Sequence, residues 1–203
     1  MKQKLRIVPF GDLESVGFVD VDAGFADVGT AFADVDAGFA DAYHGFIADV
    51  TAAAGAVFGI EDQVGGPLPV PEGAYNRRRG QYDAAGFLEA LAGAAQGQSL
   101  LLGVTGADLF LPRLNFVFGV ADSSAGVAVV SLHRLRPEFY GEGLGRALLT
   151  ERVAREAIHE LGHLFGLAHC DEPACIMYFS NTIGDTDRKG PGLCDRCARK
   201  LAG

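Results

Sequence analysis

The sequence predicts an α/β fold: a small mixed, twisted sheet with flanking helices, followed by a short cysteine-bearing lobe. Three observations carry that expectation. Short runs at Lys4 to Phe10, Ser99 to Val104, Asn115 to Ala121 and Gly126 to Leu132 are rich in Val, Leu, Ile and Phe and are bounded by Gly, Pro, Asp or Ser, which is the composition of strands. Two other stretches, 83–95 and Gly145 to Gly166, repeat their apolar residues at helical spacing. All four cysteines fall in the last 34 residues, where that periodicity fades.

The first strand, KLRIVPF, is closed by Gly11 and followed by a segment with a period of seven. Phe18, Phe25, Phe32, Phe39 and Phe46 are each seven apart, with Val21, Val28 and Val35 three residues after the first three of them. Phe and Val thus take the a and d positions of a heptad, with Asp20, Asp27, Asp34 and Asp41 off the stripe. A long amphipathic helix is the natural reading of residues 11–58. Gly17, Gly24, Gly38 and Gly45 oppose it, each costing a helix roughly 0.8–1 kcal/mol relative to Ala, and leave open an acidic low-complexity insertion.

Further along, Gly65 to Glu72 is a Pro-rich connection or edge strand, and Asp83 is the N-cap expected for a helix over 83–95. The helix from about Gly145 carries Leu148, Leu149, Val153, Ile158, Leu161 and Leu164 near one face and stops at Gly166. After it, residues 170–203 read as a loop-rich lobe organised by something other than a core. At 203 residues one domain suffices, divided by this reading into a subdomain at 1–169 and a smaller one at 170–203.

The net charge of −9 belongs to one segment, since residues 7–76 hold 12 Asp or Glu and no Lys or Arg. The remainder is close to neutral, which argues against nucleic-acid binding. The N-terminus lacks the apolar core and cleavage site of a secretory signal, and no run of about 18 apolar residues exists to span a membrane. A cytoplasmic protein is expected, and in a reducing compartment clustered cysteines favour metal over disulfides.

His159-Glu160-Leu161-Gly162-His163 forms H-E-x-x-H. Four residues apart on a helix, the two imidazoles share a face and can grip one ion. A catalytic zinc needs a third protein ligand and an open position for water. Three residues beyond His163 comes Gly166, which can adopt positive φ, end the helix and turn His169 back toward the ion. Zinc lowers the pKa of its bound water toward about 7, and Glu160, which adjoins a ligand without being one, takes the proton and passes it to the leaving amine. The reaction class is amide hydrolysis. Any one of these histidines alone reads best as an ordinary core or surface residue, as His44 and His133 do. Three at this spacing, with the Glu and Gly in place, do not.

Cys170 and Cys175, then Cys194 and Cys197, form two pairs compatible with a closed tetrahedral zinc site that couples metal binding to folding. A redox-active pair at Cys194 and Cys197 is the competing reading and leaves Cys170 and Cys175 without purpose. From HELGHLFGLAHC through Cys175-Ile176-Met177 to the CDRC pair, the sequence resembles the archaemetzincin family. The likeness extends upstream through Gly80-Gln81-Tyr82-Asp83, NFVFGVA and VVSLHRL, covering roughly 64–200 plus the first strand but not the phenylalanine heptads.

The resemblance implies a metzincin-like fold with an active-site helix, a methionine-containing turn at Met177 beneath the catalytic metal, and two zinc ions per chain. It also implies aminopeptidase-like action on short peptides or chain ends. Tyr178 departs from the Met-x-Tyr spacing of some other metzincins and receives no catalytic role. The strand at Asn115 to Ala121 is a candidate for binding an extended substrate by β-augmentation. An alternative from another class is a zinc-stabilised module that self-associates through its acidic phenylalanine segment.

Overall fold

The structure is a computed structural model that describes residues 4–11, 35–95, 99–143 and 145–202, with the backbone alone at 35–46 and 61–63. Its central sheet has five strands in the order β2-β1-β5-β8-β7. β1 (Lys4–Pro9), β2 (Glu61–Val64), β5 (Ser99–Thr105) and β8 (Val127–Ser131) run parallel, and β7 (Gly119–Asp122) closes one edge antiparallel to β8. Both faces are covered, as parallel strands require.

Alternation along each strand assigns the two faces. Leu5 and Ile7, Leu100, Leu102 and Val104, and Ala128 and Val130 pack on one side with α1 (Val35–Phe58) and α3 (Arg146–Leu164). Val8, Leu101, Val127 and Val129 pack on the other with Phe87 and Leu91 of α2 (Ala84–Ala94). α2 starts where expected: the Asp83 carboxylate accepts a hydrogen bond from the Ala85 N–H. A second sheet joins β3 (Tyr75–Asn76), β4 (Gln81–Asp83) and β6 (Leu109–Phe110). These strands are too short to announce themselves in the sequence, and β3 and β4, like β2, are also too polar.

The heptad segment is helical at 35–58, and Ile47, Val50 and Ala54 fill the chain's own core. Its first three phenylalanines lie outside the described residues. Two expectations need correction. The strand expected at Asn115 to Ala121 begins only at Gly119. The preceding residues are drawn toward the second sheet, where the Val117 N–H donates to the Leu109 carbonyl and the Gln81 side chain takes the Asn115 carbonyl. The C-terminal lobe is less loop-rich than its composition implies, with helices α4 (Ile183–Arg188) and α5 (Asp195–Ala202). α4 is nucleated by a capping box in which Thr182 and Asp185 satisfy each other's backbone N–H. Among the described residues no helix is long and apolar enough to cross a membrane.

Candidate metal centres

α3 places His159, Glu160 and His163 on one face, the first two buried and the third half-buried. The helix ends in a Schellman motif: the Gly166 N–H donates to the His163 carbonyl and the Leu167 N–H to the Gly162 carbonyl, with Gly166 at φ +81°. This turn does two things. It brings His169 back, so that one ligand atom from each of the three imidazoles lies within 4.8 Å of the others, and it presents the Leu167 carbonyl to His163 Nδ1 at 2.8 Å. His159 Nδ1 meets the Ile176 carbonyl, also at 2.8 Å.

A carbonyl only accepts, so both Nδ1 atoms carry protons and both neutral rings present an Nε2 lone pair. Those two Nε2 atoms stand 3.1 Å apart. Two bare lone pairs at that distance repel, whereas two ligands of one tetrahedral ion at about 2.0–2.1 Å stand about 3.3 Å apart. The donor set therefore fits a zinc ion, and the neutral state it requires is favoured. Burial, first, and then the Lys189 charge hold His159 well below the ordinary histidine pKa, and burial lowers His163 and His169.

Glu160 is outside this donor cluster and faces the same cleft. Burial, reinforced by Glu156, pushes its carboxyl well above the usual range, with Lys189 opposing. Its side chain lies against Gly119 on the edge strand, where a Cβ would come within 2.7 Å of Glu160 Cγ and Oε1. Gly119→Ala is therefore expected to displace the carboxylate and lower kcat about 100-fold, the effect of roughly 1 Å of misplacement, with little change in melting temperature. Steady-state kinetics beside thermal unfolding checks this; an unchanged kcat would show that the contact is irrelevant.

The four cysteine Sγ atoms form a second cluster, again within 4.8 Å of one another and with no disulfide among the described residues. Cys170 and Cys194 Sγ stand 3.8 Å apart, close to the separation of about 3.8 Å expected for two sulfurs at about 2.3 Å from one tetrahedral zinc. The Cys194 N–H and the Arg196 guanidinium donate to Cys175 and Cys170 Sγ, respectively. Burial pushes the Cys170 thiol up, but hydrogen bonds from the Glu172 backbone, Arg196 and the neighbouring cysteines outweigh it and bring it down to about 7; burial first, then its three cysteine neighbours, pushes Cys197 to about 12.

The two clusters share a floor. Cys170 directly follows His169, its N–H donates to the Met177 carbonyl, and fully buried Met177 packs with Ile158 and Leu167 beneath α3. The Ile176 carbonyl that orients His159 belongs to the same turn. Tyr178 does not line the cleft; its neighbour Phe179 does, with its ring 4.8 Å from that of His169. His133 meets Phe139 edge to face and belongs to neither cluster, and the side chain of His44 lies outside the described set.

Some residues that the sequence did not disclose matter here. Fully buried Lys189 donates to Glu156 at 3.0 Å and lies 3.4 Å from His159 Nδ1. Glu156 also accepts from the Ser180 and Thr186 hydroxyls. Arg152, 1% exposed, grips both oxygens of Asp187 at 2.8 Å. Glu156 had a visible signal, a carboxylate on the buried stripe of a helix; Lys189, 33 residues away, had none.

The pattern of peptidase family M54 matches residues 67–203. The chain belongs to that family. Archaemetzincin from Pyrococcus furiosus is 51% identical over 148 residues, 71% of this chain and 77% of that protein. The archaemetzincin of Methanocaldococcus jannaschii is 42% identical over 147 residues, 72% and 80% of the two chains. In three dimensions the archaemetzincin crystal structure from Methanopyrus kandleri covers 99% of this chain and is itself covered to 94%, with a TM-score of 0.74 at 33% identity. The zinc-dependent peptidase from Methanocorpusculum labreanum gives the same TM-score at 29% identity, covering 97% of this chain and 99% of that one. The fold is thus that of the archaemetzincins, and this M54 member is a zinc metallopeptidase.

Proposed function

We propose that the peptidase acts with zinc held by His159, His163 and His169 and with Glu160 as general base. What carries the reading is the 3.1 Å approach of two lone-pair-bearing Nε2 atoms beside a buried carboxylate in the same cleft. Held by these three histidines, a zinc ion would supply Lewis acidity toward water and toward the scissile carbonyl. The Glu160 carboxylate accepts the proton of the attacking water and returns it to the departing amine. Gly119 lets the edge strand approach close enough to hold that carboxylate still. β7 offers its free edge to an extended peptide, whose main chain pairs with it.

The cleft encloses about 720 Å³, the size of a small-ligand site, which supports short peptides or chain ends as substrates, with aminopeptidase-like action. We assign a second, structural zinc to Cys170, Cys175, Cys194 and Cys197, and read 170–203 as a subdomain that this ion organises. The expected zinc content is about two per chain. Cys197→Ser is expected to bring it to about one and to expose 171–196 to proteases, because metal binding supplies folding energy there. A content of one in the native chain, unchanged by that substitution, would refute the second site. For the catalytic site the decisive comparison is peptide hydrolysis by the native chain and by Glu160→Gln.

A further inference from the structure

The cleft wall opposite the active-site helix contains a backbone feature that neither metal centre uses. Leu111, Pro112, Arg113 and Leu114 form a β-turn closed by a hydrogen bond from the Leu114 N–H to the Leu111 carbonyl at 3.0 Å. Arg113, at the third position, has φ +75°, the only positive φ at a non-glycine among the described residues. Proline followed by positive φ is the signature of a type II turn, whose third position ordinarily takes Gly or Asn. A side chain held in the left-handed region without steric need invites a functional explanation.

The turn is anchored. The Arg79 guanidinium donates to the carbonyls of Leu114 and Asn115 at 2.8 and 2.7 Å while lying over the Phe110 ring, and Gln81 donates to the Asn115 carbonyl. Other cations close to the cleft are engaged: Arg79 as just described, Arg134 with Asp108, and Lys189 with Glu156. Arg113 is the one Lys or Arg among the described residues lining the cleft. It is exposed and has no acceptor partner among the described residues. In a chain of net charge −9, this is a local cation facing the space where the substrate lies, with apolar Leu111, Leu114 and Phe116 around it.

We propose that Arg113 is a specificity-determining residue that binds a carboxylate of the peptide substrate, either an acidic side chain or the C-terminal carboxylate. The inference rests on the cleft being the peptide site. An overall acidic protein repels acidic peptides at long range, so discrimination in their favour requires a cation at the site itself. A guanidinium fork matches a carboxylate in two parallel hydrogen bonds.

The test is equilibrium binding of labelled peptide pairs to the zinc-loaded chain, by anisotropy, with product formation followed in parallel. One set differs by Glu against Gln at each position; the other differs by a free or amidated C-terminus, which separates the two sources of the carboxylate. The native chain is expected to favour the acidic member of one set about three- to ten-fold at low salt, and less as salt screens the pair. Arg113→Gly is expected to abolish that preference, bind the neutral peptides as before, and melt no lower than the native chain, since glycine suits the turn. Arg113→Lys keeps part of the preference. Survival of the preference in Arg113→Gly, its absence from the native chain, or a uniform loss of binding accompanied by a lower melting temperature would each overturn the proposal. Binding is read apart from turnover, so a failure of Glu160 as base would abolish product formation and leave the Arg113 result standing.

Discussion

Glu160→Gln is expected to lower kcat by about 10²–10⁴-fold, the usual contribution of a positioned general acid–base group, while zinc content and fold are retained. Three features of the structure make this substitution clean. Glu160 is outside the cluster of three imidazoles, so the donor set is unchanged. Gln has nearly the same shape, so packing against Gly119 survives. Burial disfavours the charged carboxylate, and replacing it by a neutral amide removes that penalty; the melting temperature should therefore not fall. Kinetics, metal analysis and thermal unfolding on the same preparation check all three parts. A rate equal to that of the native chain would remove Glu160 from the mechanism, and lost zinc would make it a ligand instead.

The second large effect is expected at Lys189. Lys189→Met leaves the Glu156 carboxylate, 2% exposed, with two hydroxyls and no cation. Breaking a buried pair from one side costs about 3–5 kcal/mol, which for a chain of this size lowers the melting temperature by roughly 6–20 °C. Combining it with Glu156→Gln should recover most of the loss, because the amide oxygen still accepts from Ser180 and Thr186 and no charge remains unpaired. Denaturant unfolding of the two single variants and the double variant gives the coupling. Additive losses would mean that the pair contributes nothing as a pair. The effect should reach activity too, since Lys189 is 3.4 Å from His159 Nδ1 and joins the C-terminal lobe to the helix that bears the histidines.

Arg152 makes the same connection one turn earlier through Asp187. Neither cation could be foreseen. A charged residue in a sequence reads as solvated surface, because burying it alone is prohibitive; only the arrival of a partner from 33 or 35 positions away makes burial tolerable. The split of NFVFGVA between two sheets has a similar origin. Its apolar alternation suits a strand, and it was Arg79 and Gln81, both distant in the chain, that captured its first carbonyl, that of Asn115.

What the sequence determined by itself is the chemistry proposed for the cleft. His159, Glu160, His163, Gly166 and His169 lie within one helix and the turn that ends it, where spacing alone dictates which side chains share a face, and the four cysteines follow within a short span. The strands in the buried centre of the sheet were legible for a related reason, since burial on both faces demands continuous apolar runs. Tertiary structure decided what surrounds that chemistry: the edge strand pressed against Glu160 through Gly119, the Ile176 and Leu167 carbonyls that orient two imidazoles, the buried Lys189 behind them, and the strained turn that aims Arg113 into the cleft. Each of these is a contact between groups far apart in the chain or a backbone geometry enforced by such contacts, and no local pattern encodes it.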